Sequence, residues 1–307
     1  MRKTVSERAA DTQRACTAVA ALSTLRVLFL STVGGVGASI APCIAPALTR
    51  LTQLAELELS WGDDDPAALT RPLGLLTTLT RLALNIAMGR EGMCVVAPGL
   101  TCLSQLADLS APRVTSDGVA ALAQPLGSLT TLTRLNLSHK RIQTTDAAEL
   151  ALGLRHLSQL AGLELASTFV DSGGAAALAP ALGQLTAVTR LDLGGNKIGA
   201  DAAASLAPAL GRLLRPAELC LIWNRVGAAG AAALAPAIAL LTALTSLNLT
   251  DTNVGASGAA SLAPALGLLS RLADLRPAIN KLGAAGARGG PRQARVCLLY
   301  TSPSPRD

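Results

Sequence analysis

A spaced leucine pattern, L-x-x-L-x-x-L-x-L, recurs along the chain and constrains its fold more than any other feature. The last five intervals between successive copies are 28 residues each. Such a fixed period indicates a solenoid, in which small units stack and each one contacts only its neighbours. The ten copies start at Leu22, Leu51, Leu76, Leu103, Leu129, Leu157, Leu185, Leu213, Leu241 and Leu269.

Each unit has two halves with different hydrophobic periods. The L-x-L step, such as Leu191 and Leu193, has period two and places both leucines on one face of a short strand. The segment that follows, such as GAAALAPAIALL after Val226, has apolar residues at helical spacing and is rich in alanine, a strong helix former. Because one strand and one helix are too short to fold alone, the pattern predicts an α/β fold of stacked units.

The units resemble leucine-rich repeats, with the pattern LxxLxLxxNxIG followed by GAxxLAxAL. They are most similar to the ribonuclease-inhibitor-like class, which also occurs in NOD-like receptors and Ran GTPase-activating proteins. The resemblance covers about residues 22–287. It implies a leucine-rich repeat solenoid, a horseshoe with parallel strands on the concave face and short helices on the convex face.

The turn asparagine of this family is only partly present. In such repeats it bonds neighbouring backbone groups and forms a ladder, a role that the resemblance implies for Asn196, Asn224 and Asn280. Thr168, Thr252 and Lys140 take its place in other units. A threonine hydroxyl can substitute, whereas an ammonium group cannot accept a hydrogen bond. We therefore expect a looser turn around Lys140.

The glycine-rich turn of each unit could also be a phosphate-binding loop. In GGNKIGADAAAS, residues 194–205, Lys197 precedes the last glycine and no G-K-[ST] follows. The stretch VGGVGAS at 33–39 lacks the third glycine of a dinucleotide fingerprint. Because the turn recurs at one phase as IGAD, VGAA, VGAS and LGAA, we interpret it as a structural turn and expect no cofactor.

A proline recurs near the end of the alanine-rich segments, in the motif LAPAL. Inside a helix, proline removes a backbone hydrogen bond and costs about 3 kcal/mol. A cost repeated so often predicts that the helix breaks there and that proline opens a second short turn at its first position. These prolines are Pro46, Pro98, Pro180, Pro208, Pro236 and Pro264, with Pro72 and Pro125 one place later.

Of the net charge of +6, the two ends of the chain contribute +5: residues 1–21 contribute +2 and residues 288–307 contribute +3. Between residues 22 and 287 there are 18 Lys and Arg against 17 Asp and Glu. Binding to a phosphate backbone needs clustered cations, so we expect no nucleic-acid partner. No apolar run reaches the ~20 residues of a membrane span, and we expect no membrane contact.

No residue cluster predicts a metal site. The six cysteines form no CxxC pair, and neither of the two histidines stands at a ligand spacing from a cysteine. The acidic stretch GDDDP at 62–66 has no Asp-x-Asp-x-Asp-Gly loop, and carboxylates at a helix start explain it. Irregularly spaced cysteines favour buried free thiols in a reducing compartment, so we expect a cytoplasmic protein.

The two ends of the chain depart from the repeat. Residues 1–21 predict an amphipathic helical cap or the remnant of an earlier repeat. The repeat domain of about ten units is predicted to span residues 22–287, and we expect it to be monomeric. Residues 288–307 lack the period, and their ending LLYTSPSPRD resembles a translated adapter, which leaves an artefactual origin open.

The outward positions of the strands form the candidate binding surface. Residues just before the first strand leucine alternate in sign from Glu56 to Arg134, so neighbours across strands can pair and contribute roughly 0.2–1 kcal/mol each. Two interpretations stay open: a self-neutralising ladder, or a recognition surface for a protein. The surface comprises Glu56, Glu58, Arg81, Asp108, Arg134, Asn136, Glu164, Arg190, Asp192, Glu218, Asn248, Asp274 and Arg276.

Two tryptophans, Trp61 and Trp223, fall in turns at the carboxyl edge of the strands, where a partner could reach them. We predict that Trp223 instead packs into its turn. The sequence has no G-x-S-x-G elbow and no other catalytic constellation, so we do not expect an enzyme.

Three functions follow from the resemblance. The chain is expected to be an interaction module whose concave face binds another protein. The alternatives are a regulator of a small GTPase, similar to a GTPase activator, and the repeat fragment of a NOD-like immune receptor. Inhibition of a ribonuclease is disfavoured because a basic target requires an acidic face, and this face is nearly neutral.

Overall fold

A computed structural model of the protein describes residues 21–31, 41–61 and 66–278, together with residues 14, 17–19 and 280. The chain divides into two compact units. Unit 1 comprises residues 1–140 and 152–159, and unit 2 comprises residues 141–151 and 160–307. The predicted cap at 1–21 lies mostly outside the described residues, and the predicted tail at 288–307 lies wholly outside them.

Within the described residues, each unit has five strands. Inside a unit, every strand pairs in parallel with the next one along the chain. The strands of unit 1 are β1 Val27–Ser31, β2 Glu56–Trp61, β3 Arg81–Ile86, β4 Asp108–Ser110 and β5 Arg134–Asn136. Those of unit 2 are β6 Gly162–Glu164, β7 Arg190–Asp192, β8 Glu218–Cys220, β9 Ser246–Asn248 and β10 Asp274–Arg276.

Helices lie between the strands, in the alanine-rich segments. Those before β5 are α1 Ala41–Leu48, a 3₁₀ helix at Pro66–Leu69, α2 Thr70–Leu75, α3 Arg90–Thr101 and α4 Ser116–Leu126. Those after β5 are α5 Thr144–Leu154, α6 Ser172–Leu182, α7 Ala200–Leu210, α8 Gly227–Leu240 and α9 Gly255–Leu268. This alternation confirms the α/β leucine-rich repeat fold that the sequence predicted.

The repeated leucines build the core of each unit. In and just after β7, Leu191 and Leu193 are buried, whereas Arg190 on the other face of the strand is exposed. In β2 the same alternation buries Leu57 and Leu59. Burying a leucine contributes roughly 1.5–3 kcal/mol, so many similar small layers stabilise the stack without bulky aromatic residues.

Small residues allow neighbouring helices of unit 2 to approach each other closely. A Cβ atom added at Gly230 in α8 would lie 3.1 Å from Ala203 Cβ and 3.2 Å from Ala200 Cα in α7. A larger side chain at Gly230 would therefore push the two helices apart. The alanine and glycine content of these segments thus serves packing as well as helix formation.

The recurrent proline lies inside an unbroken helix, so the predicted helix break is wrong. Helix α7 runs from Ala200 to Leu210 and contains Pro208. The lost hydrogen bond frees the carbonyl of Ala204, and both residues are exposed, so water can hydrate it. Because only two helical residues follow, the cost stays low. Proline also lies inside the helix, four residues after an exposed residue and with two to four helical residues after it, at Pro46, Pro98, Pro180, Pro236 and Pro264.

Candidate functional site

The outward residues of β2–β5 form the strand face of unit 1. The register pairs Glu56 with Arg81, Arg81 with Asp108, and Asp108 with Arg134. The Arg81 guanidinium lies 4.0 Å from Glu56 Oε2 and 3.7 Å from Asp108 Oδ2. In the described part of the chain, Arg134 forms no ion pair. The remaining candidates on this face are Glu58 and Asn136.

The outward residues of β6–β10 form the strand face of unit 2, which holds the other predicted surface residues. Arg190 Nη2 lies 2.6 Å from Glu218 Oε2 on the next strand, and this contact raises the pKa of Arg190. On β10, Arg276 Nη2 lies 2.9 Å from Asp274 Oδ2 and holds the pKa of Asp274 below its usual range. This face comprises Glu164, Arg190, Asp192, Glu218, Asn248, Asp274 and Arg276.

A hollow of about 370 Å³ opens in the strand face of unit 2. It is lined by residues around Arg190 and Glu218, and Cys220 is one of them. Burial raises the pKa of the Cys220 thiol to about 11, so the thiol stays protonated at neutral pH. The hollow is therefore lined by charged groups but offers no thiolate nucleophile.

Three of the predicted surface residues use their side chains to hold turns. Asp192 Oδ1 accepts a hydrogen bond from the backbone N–H of Gly194 at 2.8 Å. Asn136 does the same for Ser138 at 2.9 Å, and Asn248 for Thr250 at 3.0 Å. Their shared position, two residues before the bonded N–H, is an Asx turn at the end of the strand. One oxygen of each side chain is thus occupied within the fold.

Behind the strand face of unit 2, a buried asparagine joins consecutive turns. Asn196 Oδ1 accepts from the N–H groups of Thr168 and Val170, each at 3.0 Å. Its Nδ2 donates to the carbonyls of Leu165 and Leu193, each at 2.9 Å. One side chain therefore forms hydrogen bonds with backbone groups in two successive repeats.

Other repeats of unit 2 have similar hydrogen bonds. Asn224 Nδ2 donates to Leu193 O at 2.9 Å, and its Oδ1 accepts from Ile198 N at 3.0 Å. Asn280 Oδ1 likewise accepts from Thr252 N at 3.0 Å. The Thr168 and Thr252 hydroxyls donate to carbonyls within their own turns.

Lys140 occupies the asparagine position in unit 1, and its side chain takes part in the bonding of the turn as a donor. Its side chain is buried, and Nζ donates to the carbonyls of Ala111 and Ser138. Burial lowers the pKa of Lys140 from 10.5 to about 7. Lysine thus supplies the donor half of what the asparagine amide does.

The structure exposes two aromatic side chains in the turns of unit 2. Trp223 is 62% exposed and has a positive φ of 55°, so the prediction that it packs into its turn is wrong. Phe169, two turn positions later in an earlier repeat, is 50% exposed. The sequence analysis missed Phe169, because periodicity identifies the apolar face of an element and Phe169 lies in a turn. The side chain of Trp61 lies outside the described residues.

The described residues contain no group of three or more His, Cys, Asp or Glu side chains that could hold a metal ion. The acidic stretch at 62–65 lies outside them. Among the helices of the described residues, each is too short or too polar to cross a bilayer.

Two segments of the chain, 184–207 and 241–263, match the family profile described as Leucine Rich repeat. No curated protein sequence is similar enough to count as a relative.

Similar folds occur in three solved structures. An internalin of Listeria monocytogenes is 18% identical over 87% of this chain and 94% of its own, with a TM-score of 0.31. Rad7 in complex with Elc1 from yeast is 16% identical over 86% and 76%, with a TM-score of 0.41. TLR13 in complex with ssRNA13 is 17% identical over 75% and 36%, with a TM-score of 0.38.

Proposed function

We propose that the chain, a leucine-rich repeat protein, is a non-catalytic module that binds another protein through the strand face of unit 2. The hollow of about 370 Å³ in that face carries this proposal, because it gathers exposed charged side chains on a rigid sheet. A concave site on regular elements holds its side chains in fixed positions, which favours specific recognition.

The charges of this face contribute little to stability. The side chains of Arg190 and Glu218 are 55% and 46% exposed. Exposed ion pairs contribute about 0–1 kcal/mol, because water screens both groups. Charges arranged on a protein surface contribute mainly to partner selection and to the rate of association. A role in recognition therefore accounts for them better than a role in folding.

The chemistry of the hollow supports a binding role rather than a catalytic one. The thiol of Cys220, which lines the hollow, stays protonated because burial raises its pKa to about 11. Asp192 is bonded to the backbone of its own turn through Oδ1, and Glu218 to Arg190. Each of these side chains already has a stabilising partner, which suits a preformed surface.

The finer features of the proposal rest on the sequence. They are the ribonuclease-inhibitor-like subclass, a cytoplasmic monomer, and a repeat domain at residues 22–287. Regulation of a small GTPase and a NOD-like receptor fragment remain hypotheses. No side-chain arrangement in the described part of the chain favours either one over a plain interaction module.

Exchanging Arg190 and Glu218 tests the proposal. The variant R190E/E218R keeps an opposite-charge pair on β7 and β8 but reverses its polarity toward a partner. We expect the free energy of unfolding to stay within about 0.5 kcal/mol of wild type. We expect most of the protein captured from cell extract by the wild-type chain to be lost, measured by quantitative mass spectrometry.

The matched control is the exchange E56R/R81E on the strand face of unit 1. It reverses an exposed opposite-charge pair outside the hollow, in which Asp108 is a second partner of Arg81. If both exchanges leave the captured proteins unchanged, the strand faces are structural ladders only. If only the unit 1 exchange alters capture, the binding face has been assigned to the wrong unit.

A further inference from the structure

A second exposed surface of unit 2 lies in the turns that follow its strands. Backbone bonds hold consecutive turns together: Lys197 N donates to Val170 O, and Arg225 N donates to Ile198 O, each at 3.0 Å. Neighbouring strands are about 4.8 Å apart, so side chains at equivalent turn positions stand side by side. We call this surface the turn row; it comprises Arg141, Phe169, Lys197, Trp223 and Arg225.

Two large aromatic side chains of the turn row face solvent. Phe169 is 50% exposed and Trp223 is 62% exposed. Lys197 Nζ lies 5.6 Å from the centre of the Phe169 ring, within range of a cation–π interaction that fixes both groups. The chain has only five aromatic residues, and placing two of them in one exposed row does not serve the core. Exposed Trp with neighbouring Arg is typical of binding hot spots.

The backbone at Trp223 strengthens this interpretation. Its φ is 55°, in the left-handed region that disfavours bulky side chains. The equivalent position in the preceding repeat is Gly195, with a φ of 64°. In the following repeat it is Asp251, with a φ of 52°. Other repeats place His139, with a φ of 62°, and Ser167, with a φ of 55°, at this position, so the left-handed conformation belongs to the repeat. The tryptophan ring is exposed there and gains little by packing, which points to a role outside folding.

In the described part of the chain, the cations of the turn row have no carboxylate partner. Arg141, Lys197 and Arg225 are exposed, and within the described ranges none of the three forms an ion pair. Phe169 stands between Arg141 and Lys197, and Trp223 is two residues from Arg225. One column of equivalent positions therefore holds Arg141, Phe169, Lys197 and Arg225, and Trp223 lies beside it in the column of Gly195. In the repeat after Trp223, the exposed residue Asp251 marks the end of the turn row.

We propose that the turn row binds an acidic peptide segment that carries apolar side chains between its carboxylates. The proposal rests on the proposed function, in which the partner of this chain is a protein. Carboxylates of the segment would pair with the three cations, and its apolar side chains would pack on Phe169 and Trp223. The source of the segment is a partner protein.

The observations favour a peptide over a nucleic acid. A phosphate backbone carries a charge at every nucleotide and needs a dense row of cations. The turn row has three cations, and the strand face beside it carries the carboxylates of Glu164, Asp192 and Glu218. Those groups repel a continuous polyanion, whereas a peptide can space its carboxylates to match.

The chain itself supplies substitutions that leave the turns intact. Trp223→Gly copies Gly195 and removes the strained side chain. Phe169→Asn copies Asn253, which has a φ of 56° at the equivalent position. The double variant K197E/R225E reverses two cations. The matched control R212E/R271E makes the same change in net charge at exposed arginines outside the turn row.

The test measures fluorescence anisotropy of a labelled peptide that repeats Asp-Glu-Leu-Phe, titrated with the full chain. We expect saturable binding, weakened about tenfold or more by Trp223→Gly, by Phe169→Asn and by K197E/R225E. We expect R212E/R271E to bind within about twofold of wild type. The thermal midpoint of Trp223→Gly should equal or exceed that of wild type, because the substitution relieves strain.

Each of the following outcomes would overturn the proposal. They are absence of saturable binding, equal binding of a peptide with lysine in place of its acids, equal weakening by R212E/R271E, and displacement by single-stranded DNA at equal concentration. Loss of peptide binding in R190E/E218R with full binding by Trp223→Gly would also overturn it. That last result would leave the proposed strand-face function standing, so the two failures are distinguishable.

Discussion

The turn at Asn196 in unit 2 and the turn at Lys140 in unit 1 occupy the same place in the repeat but are built differently. The Asn196 amide donates to two carbonyls and accepts from two backbone N–H groups. The Lys140 ammonium also donates to two carbonyls, one of them Ala111 O, which stands where Leu165 O stands in unit 2. It has no lone pair with which to accept.

The preceding turn explains why lysine is tolerated. In unit 2, Val170 N–H requires an acceptor and finds Asn196 Oδ1. In unit 1 the equivalent Val114 follows a shorter turn, and its N–H reaches Ala111 O at 3.4 Å instead. In these two turns the side chain supplies a donor, and it supplies an acceptor only where the preceding turn is long. The difference teaches that the family asparagine serves two separable purposes.

Replacing Asn196 by alanine should produce the largest effect. The buried N–H groups of Thr168 and Val170 would lose their acceptor, and each unsatisfied buried group costs about 1–3 kcal/mol. Leu165 O and Leu193 O keep other donors. We expect the free energy of unfolding to fall by about 4 kcal/mol in urea titrations. Asn248→Ala, which removes one half-buried bond, should cost about 1 kcal/mol, and equal costs would contradict the argument.

Lys140 should make stability depend on pH in a defined window. Its pKa falls from 10.5 to about 7 on folding. Between these values the unfolded chain holds a proton that the folded chain has lost, so stability rises with pH. Below about pH 7 both states are protonated and the dependence disappears. The neutral amine still donates hydrogen bonds, so the turn is kept as the charge is lost.

The measurement compares wild type with Lys140→Met, which cannot titrate. We expect the free energy of unfolding of wild type, relative to this variant, to rise by about 3 kcal/mol between pH 7 and pH 9.5. Lys197→Met changes an exposed lysine and should show no comparable rise. A flat difference for Lys140→Met would mean that its ammonium group stays hydrated in the folded protein.

The leucine period predicted the fold because period two assigns each strand residue to one sheet face. Leu191 and Leu193 were placed in the core from spacing alone, and Arg190 opposite Glu218 followed from the same register. The alternating charges were therefore found in the sequence. The hydrogen bond from Gly194 N–H to Asp192 Oδ1 was not found in the sequence, because it depends on how the chain bends after the strand.

The remaining differences arose where one residue depends on the geometry of another. Lys140 is tolerated at a buried position because the turn before it is short, which no single repeat reveals. Pro208 stays inside a helix, where Ala204, whose carbonyl it frees, is an exposed residue. Trp223 combines a left-handed backbone with an exposed side chain, and spacing gives neither. Periodicity identifies faces of elements, but it does not give the conformation of turns.

Among the substitutions in these turns, Thr168→Val should lower the free energy of unfolding least. It tests whether the Thr168 hydroxyl stabilises the turn in addition to the Asn196 amide. The Thr168 hydroxyl donates to Leu165 O at 2.8 Å and also lies 2.9 Å from Asn196 Oδ1. Asn196 Nδ2 donates to the same Leu165 carbonyl, so valine leaves no buried group unsatisfied. We expect a loss of about 1 kcal/mol in the free energy of unfolding.

The control for this variant is Thr189→Val, which removes an exposed hydroxyl that donates to Ala161 O at 3.1 Å. Water can replace that bond, so we expect a change of less than about 0.5 kcal/mol in the same urea titration. A loss at Thr168 as large as that of Asn196→Ala would show that hydroxyl and amide act as one cooperative network. In that case lysine at position 140 would have to replace two groups, and the separation of donor and acceptor purposes would not hold.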